Sequence, residues 1–325
     1  MKTDPLQPTK KPLNKLKNKE SIIWEVIDSF NLEFIDADKK YNFQCLDTLD
    51  KVHQFESEFL ACRPSVVAVD TETQGLHWDA RIIGISVSWS DEHNYYFPFR
   101  HETGDVQLHL EDVKPTLQRV FSRSSIEYVF HNYKFDHHKL KKDGLEVTGF
   151  IHDTMLMHYV LDENDKHSLK HLATKFVDEE AHKYEKLISD IRKKIARKLK
   201  IKIKDFGFEN IPVKIMTQYA CRDTLYTLKL YHIFFEQYKA QPDLFDVYVR
   251  DIELLPVLCE MEGYGVYIDQ ECLAQKSVLL QDKIDELQKE IFELVDKEFD
   301  LNSAKQIGEL LQSQGIHTFK YTPKG

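Results

Sequence analysis

The stretch "VVAVDTETQGL", residues 66–76, places two carboxylates at the end of a short apolar run. Val66 to Val69 are typical of a buried strand, and Asp70 and Glu72 follow directly. Because side chains two residues apart on a strand point to the same face, we expect both carboxylates to lie side by side. Like charges at this spacing make each group harder to ionise unless something positive lies between them. The triplet also occurs in solvated turns, so residues elsewhere in the chain must decide between a cation site and a turn.

Composition sets limits on the class of protein. The 325 residues suffice for two domains, and 42% hydrophobic with 30% charged residues is typical of a globular protein. No apolar run approaches the roughly 20 residues that span a bilayer, and the N-terminus lacks the apolar core of a signal peptide. Five scattered cysteines without a C-x-x-C pair argue for reduced thiols and against a structural zinc site. We therefore expect a cytoplasmic location and no membrane partner.

Charge is distributed unevenly along the chain. The net charge of −10 is unusual for a nucleic-acid-binding protein, although an enzyme that binds cations through carboxylates can be acidic overall. Residues 1–40 begin with a lysine-rich segment that we interpret as a basic, flexible tail. The stretch "IRKKIARKLKIKIK", residues 191–204, is either a helix along a phosphate backbone or a solvated helix face. In the first case, charge reversal at Lys193, Lys194 and Arg197 weakens nucleic-acid binding.

The order of predicted elements indicates a mixed α/β domain followed by a helical region. The predicted elements are a strand and helix in 41–64, a hairpin in 81–101, a helix in 111–121, a strand at 126–130, helices in 132–142, 152–161 and 167–176, and a long helix after Ile211. Gly263 and Gly265, with Val266 and Ile268, predict a turn and short strand before long charged helices. We place a domain boundary near residue 245.

Two further motifs carry acidic or phenolic groups at helical spacing. Asp136 follows Asn132 by four residues, and Asp223 follows Tyr219 by four, so each pair shares one helix face. With Asp70 and Glu72, the sequence offers four carboxylates and a tyrosine spread over three motifs.

These motifs, "DTETQGL", "NYKFD" and "YACRD" in this order and spacing, resemble those of the 3′-5′ exonuclease domain of family A DNA polymerases. The segments "ELLPVLCEMEGYGVYID" and "FDLNSAKQIGELLQSQGI" resemble the start of the polymerase domain, and phage members look most similar. The resemblance covers residues 41–325. It implies a ribonuclease H-like α/β fold, with a mixed sheet flanked by helices, over residues 41–245, and a mainly helical partial thumb over residues 246–325.

The resemblance also implies the chemistry of the site. Two divalent ions, Mg²⁺ or Mn²⁺, would support phosphodiester hydrolysis. Asp70 is expected to bridge both ions, Glu72 and Asp223 to complete the site that activates water, and Asp136 to hold the second ion largely through water. Tyr219 is expected to orient the attacking water by a hydrogen bond.

The same matching assigns contacts to substrate. Leu76 corresponds to a leucine that wedges against the terminal base, and Asn132 and Phe135 to contacts with the 3′ nucleotide. The implied partners are a single-stranded DNA 3′ end and primer–template DNA. Stacking on an aromatic face tolerates any base, which suits a proofreading site.

The family's palm and fingers motifs do not occur in this sequence, so we expect no DNA synthesis by this chain alone. A separate chain that carries palm and fingers is one candidate partner. If phage-encoded, the protein would act in the host cytoplasm. Two alternatives stay open: an RNA-trimming exonuclease that resembles ribonuclease D, and a non-catalytic subunit that binds DNA or a partner chain.

Overall fold

A six-stranded mixed sheet forms the centre of the computed structural model, which describes residues 16–30 and 41–316. Its strands, in chain order, are β1 (Phe43–Cys45), β2 (Val66–Thr73), β3 (Ile82–Ser90), β4 (His93–Pro98), β5 (Glu127–Phe130) and β6 (Phe150–Asp153). Their spatial order is β1-β4-β3-β2-β5-β6. β2 pairs antiparallel with β3 and parallel with β5, so the strand with the two carboxylates lies inside the sheet. The predicted hairpin is confirmed as the antiparallel pair β3–β4.

Helices pack around this sheet and continue beyond it. In chain order they are α1 (Leu16–Asp28), α2 (Leu49–Cys62), α3 (Leu110–Phe121), α4 (Tyr133–Lys142), α5 (Thr154–Leu161), α6 (Leu169–Phe176), α7 (Ala181–Leu199), α8 (Val213–Lys239), α9 (Pro242–Tyr264), α10 (Gln270–Val295) and α11 (Ala304–Ser313). The predicted mixed α/β fold, a sheet flanked by helices with a helical continuation, is confirmed. None of the helices in the described ranges is long and apolar enough to cross a membrane.

The long helix α8 organises the core because it crosses β1 to β5 and also touches α6. Its buried side chains lie on most sides of the helix, which explains why the sequence shows no simple amphipathic stripe there. The largest apolar cluster joins β-strand residues such as Val67 and Val87 with Phe234 of α8. A second cluster joins Ile215 of α8 with Ile191 of α7.

The chain divides into two compact units, Met1–Gly263 and Tyr264–Gly325. Helix α9 begins before residue 245 and ends after it, at Tyr264, and its residues Tyr248 and Ile252 are buried in the first unit. The boundary near residue 245 remains a prediction. In the second unit, α10 and α11 have no buried residues.

Part of the N-terminal segment is folded. Residues 1–15 and 31–40 of the predicted tail lie outside the described residues. Within α1, however, Ile23, Val26 and Ile27 are at most 1% exposed and belong to the cluster that contains Ile191 of α7. The apolar residues beyond residue 20 thus hold α1 against α7, where a free tail was expected.

Local differences from the sequence prediction have simple causes. Residues 152 and 153, predicted as the start of a helix, belong instead to β6, because they pair with β5 and Asp153 caps α5. No strand forms around Val266 and Ile268: α9 runs through Gly263, and no described strand pairs with this segment. Pro115 lies inside α3, in its second turn.

Candidate active site

Asp70 and Glu72 lie near the carboxyl end of β2, as the alternation of strand side chains predicts. Asp70 pairs in register with Ser86 of β3, and Glu72 with Gly84. Glu72 is only 5% exposed and Asp70 is half-buried. A register shift between Glu72 and Thr73 ends the regular ladder directly after the second carboxylate.

Burial perturbs both carboxylates strongly. Desolvation raises the pKa of Asp70 to about 6, against opposing attraction from Lys170. Desolvation and the charge of Asp70 raise the pKa of Glu72 to about 8. Two neighbouring acids with raised pKa values are typical of a functional site, because a structural core gains nothing from such a pair.

The third motif approaches β2 from α8. Asp223 is 6% exposed, and Tyr219 lies one helical turn before it. The pKa of the Tyr219 phenol is raised well above its usual value by burial and then by the charges of Glu72 and Asp70. Tyr219 therefore shares the electrostatic environment of the two β2 carboxylates and stays protonated at neutral pH.

Asp136 reaches the same strand from α4. Its Oδ1 accepts hydrogen bonds from the backbone N–H of Thr71 at 3.1 Å and from its hydroxyl at 2.5 Å. Burial, followed by the charge of Asp70, raises the pKa of Asp136 well above its ordinary value. We call Asp70, Glu72, Asp136 and Asp223 the carboxylate site.

Lys170 of α6 inserts a positive charge into the carboxylate site, and sequence reasoning missed it. Its ammonium forms an ion pair with Asp223 Oδ1 and lies 4.4 Å from the centre of the Tyr219 ring. Burial lowers the pKa of Lys170 to about 8, although Glu72 and Asp70 favour its charged form. No motif spacing marks this lysine, because it comes from a helix outside the three motifs.

Asp153 is a second residue that sequence reasoning missed, and its role is to position the Asn132 loop. Its carboxylate accepts from the backbone N–H of Asn132 at 3.0 Å and of Tyr133 at 2.8 Å. It also caps α5 by accepting from Met155 N–H. Asn132 adopts a left-handed conformation (φ 75°) before α4, which a β-branched residue would tolerate poorly. An Asp directly before the apolar run of α5 is a capping signal that the sequence did offer.

The residues expected to contact substrate differ in exposure. Leu76 is 89% exposed, just beyond β2, and Trp78 nearby is 57% exposed. Phe135 is half-buried on the first turn of α4, with the Lys139 ammonium 5.0 Å from its ring centre. An apolar side chain as exposed as Leu76 has no packing role within the described residues, which leaves it available to a ligand.

The donor chemistry of the carboxylate site suits a hard divalent cation. All four groups offer carboxylate oxygens, the ligands that Mg²⁺ and Mn²⁺ prefer. Burial raises the pKa values of Asp70, Glu72 and Asp136, and a bound cation would favour the charged form of each group. Among the described residues, however, no three of the four have oxygens within 4.8 Å of one another, and the group that meets this criterion is His158, Asp162 and Asp165.

Known proteins are similar to this chain in sequence and in fold. The family described as the 3′-5′ exonuclease of DNA polymerase A matches residues 43–239. DNA polymerase I of Borreliella burgdorferi is 31% identical over 248 residues (75% of this chain, 25% of that protein), and the DNA polymerase of Escherichia phage T5 is 30% identical over 265 residues (75% and 30%). Among solved structures, the polymerase domain of Mycobacterium smegmatis Pol1 aligns with a TM-score of 0.57 at 16% identity, covering 84% of this chain and 42% of that one. The chain thus spans about a quarter of the length of such relatives.

Proposed function

The chain belongs to the family of 3′-5′ exonuclease domains found in DNA polymerase I-like proteins, and on this premise we propose that it removes nucleotides from DNA 3′ ends. The observation that carries the proposal is the adjacent pair Asp70 and Glu72, which have raised pKa values and attract the same lysine, Lys170, that pairs with Asp223. Bound cations would turn this repulsive arrangement into a favourable one.

Two divalent metal ions, Mg²⁺ or Mn²⁺, would be held by the carboxylate site. Asp70, Glu72 and Asp223 would hold the ion that activates water, and Asp70 and Asp136 would hold the other. When bound, such ions supply a hydroxide-like nucleophile and stabilise the leaving oxygen of the phosphodiester.

Tyr219 would position the attacking water. Its phenol stays protonated because burial and the charges of Glu72 and Asp70 raise its pKa. A protonated phenol can donate one hydrogen bond and accept others, so it orients a water molecule without acting as the base.

The substrate that fits the proposal is the single-stranded 3′ end of DNA. Leu76 would wedge against the terminal base, and Asn132 and Phe135 would contact the 3′ nucleotide. Their accessibility supports this role, since Leu76 is almost fully exposed and Phe135 is half-buried. Mispaired ends cost less to unpair, so selectivity for them would come from fraying.

A proofreading role implies further partners. We propose that the chain acts on primer–template DNA in the cytoplasm, of the host cell if it is phage-encoded, and that it can dock onto a separate polypeptide that carries palm and fingers. Residues 1–325 alone would extend no primer. Size-exclusion chromatography with a palm-and-fingers polypeptide tests this, and unchanged elution of both would contradict it.

The central test is degradation of a 5′-labelled single-stranded DNA with Mg²⁺ by the wild type and by an Asp70→Ala, Glu72→Ala double variant. We expect a 3′-5′ ladder that disappears in the variant, and no extension of a primer–template supplied with nucleotides. A strong preference for RNA ends would instead support the ribonuclease D-like alternative. An inactive wild type that still binds DNA would support the non-catalytic alternative.

A further inference from the structure

The side-chain ammonium of Lys170 lies in the carboxylate site, where the proposed function requires metal ions to bind. The ammonium pairs with Asp223 Oδ1 and is attracted by both Glu72 and Asp70. Its side chain is 12% exposed, and that of Asp223 is 9% exposed, so water screens this ion pair poorly.

The position of Lys170 is fixed by its surroundings. It lies in the first turn of α6, which begins at Leu169, and α6 packs against both α7 and α8. The ring of Tyr219 lies 4.4 Å from the ammonium and favours its positive charge. The lysine thus contacts two of the groups to which a role in metal binding or water positioning is assigned.

An ammonium and a divalent ion compete for the same oxygen. A Mg²⁺ ion binds carboxylate oxygens at about 2.1 Å and repels a nearby cation. Asp223 Oδ1 therefore binds either the Lys170 ammonium or the metal ion. Before a metal ion binds, the ammonium offsets part of the repulsion between the carboxylates, a role that the metal ion takes over when it displaces the lysine.

We propose that Lys170 is a tethered cation that stabilises the metal-free carboxylate site and is displaced from Asp223 when a divalent ion binds. Lys170 is in this sense a positioning residue, acting through Asp223. The inference rests on the proposed function only in that the carboxylate site is taken as a metal site.

The test is metal affinity without substrate. Binding of Mn²⁺ to the full chain is measured from the electron paramagnetic resonance signal of free Mn²⁺, for the wild type and for Lys170→Met, Lys170→Arg and Lys229→Met. Lys170→Met keeps the length of the side chain and removes its charge, and it should bind Mn²⁺ about tenfold more tightly, the size of effect that a close charge has on a carboxylate. Lys170→Arg, which keeps the charge, should stay near the wild type.

Lys229 provides the matched control. It lies on α8, the helix that carries Asp223, and pairs with Asp91 at 2.8 Å, but it is 25% exposed and outside the carboxylate site. Lys229→Met should leave Mn²⁺ affinity unchanged. An equal gain in both Met variants would mean a general electrostatic effect and would overturn the proposal.

A second readout separates displacement from simple stabilisation. Without metal, Lys170→Met should melt at a lower temperature than the wild type, and saturating Mn²⁺ should reduce or reverse this difference. Unchanged or weaker Mn²⁺ binding by Lys170→Met would overturn the inference while leaving the metal site and the proposed nuclease in place. Failure of the wild type to bind Mn²⁺ at all would overturn the metal assignment, and the inference with it.

Discussion

Thr71 lies between Asp70 and Glu72 in β2. Its hydroxyl and backbone N–H both donate to Asp136. A single tripeptide thus carries two carboxylates and anchors a third. At the scale of the residue, the function depends on how close these charges are and on what neutralises them.

Without metal ions, Glu72 should make the free energy of unfolding depend on pH. Its folded pKa of about 8 exceeds the ordinary value of 4.5, so the folded protein keeps a proton that the unfolded chain releases. Stability is consequently lost as pH rises from about 4.5 to 8, and Glu72→Gln removes this loss. We expect the variant to exceed the wild type by about 1 to 3 kcal/mol at pH 8 and to equal it near pH 4.5.

Thermal or urea unfolding in EDTA across this pH range measures the effect. Taking the difference between wild type and variant removes the contribution of buried histidines such as His131, whose lowered pKa acts in the opposite direction. Parallel stability curves for the two proteins would contradict a raised pKa at Glu72.

Tyr219→Phe should slow hydrolysis without weakening DNA binding. The substitution removes only the phenolic oxygen, so a water-positioning hydrogen bond is lost while the ring keeps its contacts. We expect a loss of about a hundredfold in kcat with little change in KM. Tyr238→Phe is the matched control on the same helix, since its hydroxyl donates to Met157 O at 2.7 Å, and an equal loss in kcat there would point to helix packing instead.

At the scale of the element, α7 shows how one helix divides its charges between faces. Tyr184, Ile188, Ile191 and Ile195 form its buried face. Lys194 and Lys198 contact Ser29 and Glu25, on the side of α1. The basic stripe points to solvent, opposite the buried face, and consists of Lys186, Lys193, Arg197 and Lys200. It extends over about 21 Å of helix.

Helix α7 also adjoins the carboxylate site. Arg192 donates to Phe206 O at 2.7 Å and lies 4.8 Å from the centre of the Phe208 ring, which in turn lies 5.9 Å from that of Tyr219. Gly207 packs so closely that an added Cβ would lie 2.6 Å from Gln74 O, just after β2. Helix α7 is therefore connected to Tyr219 through Phe208.

From the sequence we expected charge reversal at Lys193, Lys194 and Arg197 to weaken DNA binding. We now expect this effect from the residues of the basic stripe, Lys193 and Arg197. We expect Lys193→Glu with Arg197→Glu to weaken single-stranded DNA binding and to reduce the salt slope by about 1.4, or about 0.7 for each phosphate that the protein no longer neutralises. The paired control is Lys194→Glu with Lys198→Glu, which changes the same charge on the face next to α1. Binding is measured by fluorescence anisotropy across salt concentrations. Equal effects from both pairs would mean that DNA binding responds only to the net charge of the protein and not to the basic stripe.

At the scale of the whole molecule, the carboxylate site depends on a helix far along the chain. The Tyr248 hydroxyl of α9 accepts from Asp153 N–H at 3.2 Å and lies 3.0 Å from His152 Nδ1. Asp153 in turn holds the Asn132 loop. The proposed exonuclease therefore needs residues beyond 245, although all of its site residues precede them.

Two truncations test this dependence. A chain that ends at Gly263 should keep exonuclease activity on single strands within a few-fold, because every site residue lies in the first compact unit. A chain that ends at residue 245 loses buried Tyr248, Ile252, Leu255 and Cys259. It should lose several kcal/mol of stability, because each large buried side chain contributes about 2 kcal/mol or more. Equal stability of both truncations would instead support the predicted boundary near 245.

The sequence by itself determined the α/β fold and the three motifs. Strand alternation pairs Asp70 with Glu72, and helical spacing pairs Tyr219 with Asp223, and both periodicities are local properties of the chain. Only the tertiary structure decided that Lys170 enters the carboxylate site and that Tyr248 supports Asp153. It also decided that Lys193 points to solvent whereas Lys194 contacts Ser29, next to α1. These contacts join residues far apart in the chain, and they depend on how helices pack against the sheet, which no local periodicity encodes.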